Sequence, residues 1–455
     1  MSEPALDIAE RALGAVREGD GAQATVVAER SLVLRFARSR PTQSTAVDDV
    51  TVELSVLREG HLGSATTNRT DSESLEQCAR SAEAAAEATA RSRGAGDYPG
   101  FPPPRKCRPH RGFDPDTAAL DPAPGGHALR TVFEAANDHG VEAHGVWTDG
   151  DVTTAIASST GTALNDRVTD AFMKVVCISP SGRSGFATAS GVRLSAIDPA
   201  ELAFKAAAKA TVPGEPARLE PGEYPVVLEV PAAAELLTWL GHVAFNGLAY
   251  AEDRSPLNGS LGALVSAPSI NLSDSPRYRR TIPRAFDFEG VPKAPLPLIQ
   301  DGVAHRVVHD TRSAALTGDG ATSTGHALAP GGDDWGPIPT NLVLIGGGAA
   351  DEAELCLPIE LGVYVTRVWY TNMLRPKETL LTGVTRDGTF LIEDGRVTRP
   401  LEDMRFTDSV LRVFEGTQAL TSRTRLWSEG EFYGRRFATG VVTPSVRSAS
   451  MRFTA

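Results

Sequence analysis

Cysteine is scarce in this chain, and what there is lies scattered. Cys78, Cys107, Cys177 and Cys356 form no Cys-x-x-Cys pair, so the sequence holds neither a clustered thiolate metal site nor a dense disulfide framework. They read as reduced thiols of a cytoplasmic protein, with Cys78 facing a helix core. Runs of basic charge are also missing, and the net charge is −12. That balance excludes the electrostatic footprint of a nucleic-acid-binding surface. No window approaches the roughly 18 to 20 apolar residues of a membrane span. The acidic start, Met-Ser-Glu-Pro-Ala-Leu-Asp-Ile, has neither the basic flank nor the apolar stretch of a secretion signal. The expectation is a cytoplasmic protein with no membrane and no nucleic-acid partner.

What is present is length and alternation. At 455 residues the chain exceeds one ordinary core and predicts two domains. An amphipathic helix is expected over 3 to 18, capped by Ser2, and a β-hairpin over 23 to 38 turning at Glu29-Arg30-Ser31. Val50, Val52, Leu54 and Val56 alternate with Thr51, Glu53 and Ser55 as a one-sided strand. Asp71 or Ser72 caps a long helix whose Leu75, Cys78, Ala79, Ala82 and Ala86 are small enough to approach a sheet closely. Beyond a proline-rich connection over 93 to 126 come a helix and then strands over 141 to 158 and 162 to 178, with turns at Asp149-Gly150-Asp151 and Ser179-Pro180-Ser181-Gly182. Asp198-Pro199-Ala200-Glu201 is a helix start. Pro213-Gly214-Glu215-Pro216 reads as the linker, which places an N-terminal α/β domain at 1–215 and a β-rich domain at 216–455. The fold class is therefore α+β, with a mixed or antiparallel N-terminal sheet.

In the second half, Asp301-Gly302 predicts a hairpin corner. Asp387-Gly388 and Asp394-Gly395 flank a strand and predict a meander, while 401 to 420 can be assigned to neither helix nor strand. The stretch Tyr224 to Gly290 is the most informative. The strand Tyr224-Pro225-Val226-Val227-Leu228-Glu229-Val230 leads into a helix begun by Pro231, whose fixed φ suits a first helical position. Leu236, Leu237, Leu240, Val243 and Ala244 then recur at helical spacing.

With Phe286-Asp287-Phe288-Glu289-Gly290-Val291, Ser323-Thr324-Gly325-His326-Ala327, Pro339-Thr340-Asn341-Leu342, Leu361-Gly362-Val363-Tyr364-Val365 and Phe390-Leu391-Ile392-Glu393-Asp394-Gly395, this stretch resembles the TldD/TldE (PmbA) family of peptidase-related proteins. Glu59-Gly60-His61-Leu62-Gly63 extends the resemblance to the N-terminal half. In the zinc-bearing TldD branch a His-Glu-x-x-x-His follows the Leu-Leu pair. Here the corresponding positions read Thr238, Trp239, Leu240, Gly241, His242 and Val243. A zinc hydrolase needs about three N, S or O ligands and a carboxylate to take a proton from bound water. Thr, Trp and Val supply none, and His242 stands one place early.

The resemblance thus implies a metal-free, TldE-like subunit without a cofactor of its own, paired with a TldD-like chain in which the zinc is expected. Such a subunit would form one wall of a cleft for an unfolded or modified peptide, which could add to a strand edge of the β-rich domain. Trp239, His242, Tyr250, Asp287 and Glu289 are the cleft candidates, with Trp369 and Tyr370 as further aromatics. Asp287 and Glu289 also read as an acid–base pair about 6 to 7 Å apart on an extended turn. The family shares that turn between its branches, which favours a structural or interface role.

Other constellations carry less. His305 and His309 sit on a strand-like segment, where four residues span about 13 Å, too far for one ion. Gly346-Gly347-Gly348 leads to Asp351 where a phosphate loop needs glycine. Asn258-Gly259-Ser260-Leu261-Gly262 lacks the strand and the first glycine of a nucleophile elbow. Two further functions stay open: a stand-alone enzyme acting on a peptide or small metabolite through Asp287, Glu289 or the histidines, and a homodimer that holds peptide without cutting it.

Overall fold

The computed structural model describes residues 3–92, 94, 96–432 and 434–454, and the architecture is α+β. The N-terminal half is built on six antiparallel strands: β1 (Gly21–Ala37), β2 (Arg40–Arg58), β3 (His61–Thr67), β4 (Glu142–Ser158), β5 (Ala163–Ile178) and β6 (Ser184–Gly191). They lie in the order β3-β2-β1-β4-β5-β6. Side chains alternate across a strand, and β4 shows what each face meets. Trp147, Ala155 and Ala157 pack on helices, while Val152 and Ile156 meet Phe288 and Phe286 of the C-terminal half.

On the helical face, α1 (Ala5–Ala15) and α2 (Ser72–Ser92) cover one part of the sheet. After the short α3 (Pro115–Ala118), α4 (Pro122–Asp138) and α5 (Pro199–Ala210) cover the other. The expected stripe of α2 is the buried one: Leu75, Cys78, Ala79, Ala82 and Ala86. Gly63 of β3 lets it approach, since a Cβ there would lie 2.0 Å from the Ala86 nitrogen. Asp71 caps this helix through the Ser74 N–H at 3.0 Å. Asp198 caps α5 through the N–H groups of Ala200 and Glu201, but Glu201 turns to Lys205 rather than back to the cap. The expected cap Ser2 lies outside the described residues.

Two expected turns are absent. β1 runs unbroken through Glu29-Arg30-Ser31 and turns only at Arg38-Ser39, both at positive φ. β4 likewise runs through Asp149-Gly150-Asp151. Among the residues that look like turn signals, Glu29 and Gly150 meet Arg436, which arrives from the far end of the chain, while Asp151 pairs with Arg167. The Arg436 backbone N–H donates to Glu29 at 2.9 Å, and its guanidinium lies over Gly150.

The C-terminal half begins with β7 (Gly222–Leu228), α6 (Val230–Val243) and α7 (Gly247–Ala251). It continues through β8 (Leu272–Asp274), β9 (Leu296–Gln300), β10 (Val303–Ala304), α8 (Thr311–Thr317), β11 (Asn341–Leu344) and α9 (Glu352–Cys356). Then follow β12 (Leu361–Arg375), β13 (Leu380–Glu393), β14 (Arg396–Pro400), β15 (Arg405–Ser409), α10 (Val410–Glu415), β16 (Thr417–Leu420), β17 (Arg425–Trp427), β18 (Gly440–Thr443) and β19 (Val446–Thr454). The segment that defied assignment is thus strand, helix, strand. Asp301-Gly302 turns between β9 and β10 as expected. Asp394-Gly395 turns between β13 and β14, whereas Asp387-Gly388 lies inside β13, where Asp387 pairs with Arg367.

One sheet has the order β10-β9-β8-β11-β18-β17. In the other, β12-β7-β19-β15-β13 closes on itself because β13 also pairs with β12. Closure removes free edges from that ring. α6 packs between the ring and the open sheet, with Leu236, Leu237 and Leu240 sharing one core with Val226, Val363, Met451, Leu342 and Val441. No helix among the described residues is long and apolar enough to cross a membrane.

Candidate functional site

Helix α6 is buried on most sides, and only one stripe stays partly open: Pro231, Glu235, Thr238, Trp239, His242 and Val243. These recur at intervals of three and four, one side of a 3.6-residue helix. Thr238, Trp239 and Val243, the three positions that the sequence resemblance matches to metal-site residues, therefore lie on the open stripe.

What stands at those positions is engaged within the protein. Thr238 Oγ1 donates to the Ala234 carbonyl one turn earlier, at 2.9 Å. Trp239 Nε1 lies 2.9 Å from Thr371 Oγ1 of β12 and 3.2 Å from Glu235 Oε1, and the Thr371 hydroxyl also donates to that carboxylate. Indole N–H is a donor only and valine offers no donor atom to a metal, so this set does not fit a zinc ion. Glu235 and His242 do carry ligating atoms, but seven residues of helix separate them by about 10 Å, too far to share one ion.

Glu235 is the residue that sequence reasoning missed, because its neighbours come from β12 and from the segment after β17. Burial raises its pKa, while hydrogen bonds from Thr371 and Trp239 work the other way. Burial raises Glu429 as well, with the nearby carboxylates of Glu235 and Glu431 adding to it. His242 stands edge-on to Trp239, ring centres 6.0 Å apart, and burial lowers its pKa, so the imidazole is neutral at pH 7. Trp369 and Tyr370, next to Thr371, are 38% and 73% exposed. Trp239 thus bonds Glu235 and stands against His242, while Trp369 and Tyr370 lie on β12 next to Thr371, the other partner of Glu235. Tyr250, on α7, packs partly buried against the main C-terminal core.

Asp287 and Glu289 lie elsewhere, in a closed turn. Asp287 Oδ1 accepts the N–H groups of Glu289 and Val291, at 3.0 and 2.9 Å, and Oδ2 that of Ala327 at 2.9 Å. Glu289 Oε2 accepts from the Thr311 N–H at 2.9 Å and its hydroxyl at 2.6 Å, at the start of α8. Glu289 Oε1 and the Tyr98 hydroxyl are both buried without a hydrogen-bond partner among the described residues. Burial, reinforced by the charge of Asp287, pushes Glu289 up, so it is the neutral member of the pair. Asp287 is 6% and Glu289 1% exposed. A carboxylate bonded to three backbone N–H groups and a carboxyl sealed from solvent hold a turn.

A second buried cluster adjoins this turn. Asp274 accepts the N–H groups of Thr340 and Asn341, both at 2.8 Å, and lies 3.5 Å from Lys293 Nζ and 3.2 Å from His326 Nε2. Burial opposes its charge, but Lys293 and His326 outweigh that and hold Asp274 well below the usual carboxylate range. His326 sits in one of the motifs noted in sequence, where Thr324 contacts its Nδ1 at 2.9 Å; its charged partner Asp274 is distant in sequence and was not readable there. His309 is buried against Ser313, while His305 is exposed. Among the described residues, no group of three or more His, Cys, Asp and Glu side chains is placed to hold a metal ion.

Comparison with known proteins agrees with this architecture. Models of the PmbA/TldA metallopeptidase family match residues 22–86 (domain 1), 118–212 (central domain) and 221–455 (C-terminal domain). The crystal structure of TldE from Thermococcus kodakarensis superposes with a TM-score of 0.86 at 17% identity, covering 99% of each chain. A metalloprotease of Synechocystis is 24% identical over 343 residues, 70% of this chain and 69% of that one. A metalloprotease of Methanothermobacter thermautotrophicus is 26% identical over 187 residues, 41% of this chain and 40% of that one. The C-terminal match alone spans more than half of the sequence, and its domain is the one that builds the α6 stripe: the chain belongs to the PmbA/TldA metallopeptidase family.

Proposed function

We propose that this chain is a non-catalytic, TldE-like subunit that pairs with a zinc-bearing, TldD-like chain and completes the cleft around an unfolded or modified peptide. One observation carries the reading. The three positions of α6 that correspond to the family's metal site are open to one side, yet they hold Thr238, Trp239 and Val243, two of them engaged in internal hydrogen bonds. Zinc and the attacking water belong to the partner; this chain supplies a wall formed by Trp239, His242, Trp369 and Tyr370. The name of the Thermococcus neighbour points the same way. The test is to purify the chain with a TldD-like partner and follow cleavage of an unstructured peptide by each subunit alone and by the two mixed. Turnover that needs both chains supports the reading.

The names of the curated relatives favour a second reading, a chain that cuts peptide by itself. That reading requires turnover by the isolated chain, lost on Asp287→Asn or Glu289→Gln.

A further inference from the structure

A cleft of about 930 Å³ lies near the N-terminal end of α6, where Glu229, Val230 and Pro231 form part of its lining. Its long walls are continuous stretches of chain: residues 186–193 along β6, residues 276–281, and residues 423–427 along β17. Side chains on a strand alternate between faces, so a cavity lined by every residue in turn meets a strand along its edge. β6 and β17 are the terminal strands of their sheets, each paired on one side only. Their open edges meet near one point, where Ser190 Oγ donates to the Leu426 carbonyl at 3.3 Å.

The charge of this cleft is opposite to that of the molecule. The net charge of the chain is −12, yet Arg111, Arg277, Arg279, Arg280, Arg423 and Arg425 all line the cleft. Among the described residues, none of these six has a carboxylate within ion-pair distance. The lysines of the same cleft are already matched, Lys205 by Glu201 and Lys209 by Glu229. Two of the arginines are held in place. Arg277 donates to the carbonyls of Arg284 and Arg108, at 3.0 and 2.7 Å, and Arg280 to the carbonyl and hydroxyl of Thr424, at 2.7 and 2.8 Å. Arg277 Nε is buried with no partner among the described residues.

We propose that this cleft binds an extended acidic peptide segment, its main chain against the open edge of β6 and its carboxylates on the six unmatched guanidiniums. Guanidinium pairs two-pronged with carboxylate, and a strand edge offers donors and acceptors to another main chain. A single-stranded nucleic acid would satisfy the charge but could not use the edge. The site is separate from the Trp239 and His242 wall, and the proposal holds whether or not the chain works with a partner.

The test uses the purified full chain and fluorescence anisotropy. One labelled peptide alternates Glu and Ser, a second alternates Lys and Ser, and a third is the acidic peptide with N-methylated amides. The acidic peptide should bind, weaken as salt rises, and lose affinity on N-methylation, while the lysine peptide should not bind. Arg279→Glu combined with Arg425→Glu should weaken it about tenfold or more. Both side chains are exposed, so an unchanged melting temperature verifies the fold of the variant. Equal binding of the acidic and lysine peptides, or of wild type and variant, overturns the proposal. So does a labelled oligothymidylate that binds as tightly as the acidic peptide with the same arginine dependence. Acidic-peptide binding without cleavage by the mixed subunits would leave this site standing and refute only the subunit reading.

Discussion

Arg436 and Asp170 form a buried two-point ion pair, Nε to Oδ1 at 2.8 Å and Nη2 to Oδ2 at 2.7 Å, across 266 residues of chain. A third contact, Nη1 to Thr148 Oγ1 at 2.9 Å, completes the guanidinium's partners in the N-terminal sheet. The side chains are 1% and 5% exposed. Removing one partner of such a pair leaves a bare buried charge and costs about 3 to 5 kcal/mol. Asp170→Asn should therefore lower stability by about that amount in a urea melt. A loss below about 1 kcal/mol would show that the pair does not hold the segment around residue 436 against the sheet.

Gly150 makes that pair possible, since a Cβ there would lie 2.2 Å from Arg436 Nε. The same reasoning applies to Gly63 under α2, where the clash would be with helix backbone, which cannot swing aside. Gly63→Ala should destabilise by about 1 to 3 kcal/mol through overpacking. The measurement is a denaturant midpoint at unchanged m-value.

Glu289 links stability to pH. Burial raises its folded pKa above the ordinary 4.5, so the folded state holds a proton that the unfolded state has released. The contribution is complete below the unfolded pKa and is lost as pH rises through the folded one. Glu289→Gln keeps the acceptor for Thr311 and removes the titration. Its melting temperature relative to wild type should rise between about pH 5 and about pH 8. A difference that stays flat or falls over that interval contradicts a raised Glu289.

Much of the fold was legible because its signals are local. The α2 stripe, the Asp71 and Asp198 caps and the Asp301-Gly302 corner all depend on residues within a few places of each other. The misread turns share one cause. Each holds a residue whose partner lies well beyond a turn: Glu29 in β1 meets the Arg436 N–H across 407 residues, the Arg436 guanidinium lies over Gly150 in β4, and Asp151 pairs with Arg167. Asp387 was misread for the same kind of reason, since its partners are Arg367 and Ser184. At the candidate site, the helix α6 was identified from its spacing and its Pro231 start. Glu235 escaped notice because what makes it unusual, its burial beside Thr371 and Glu429, is tertiary.

At the α6 positions that the sequence resemblance matches to a metal site, Thr238, Trp239 and Val243 do not form a set of zinc ligands. The direct measurement is zinc per chain, by elemental analysis of the isolated, tag-free protein after incubation with zinc and gel filtration. The account predicts far less than one zinc per chain and no peptide cleavage by that sample. One zinc per chain, accompanied by peptide hydrolysis that a chelator abolishes, would contradict it.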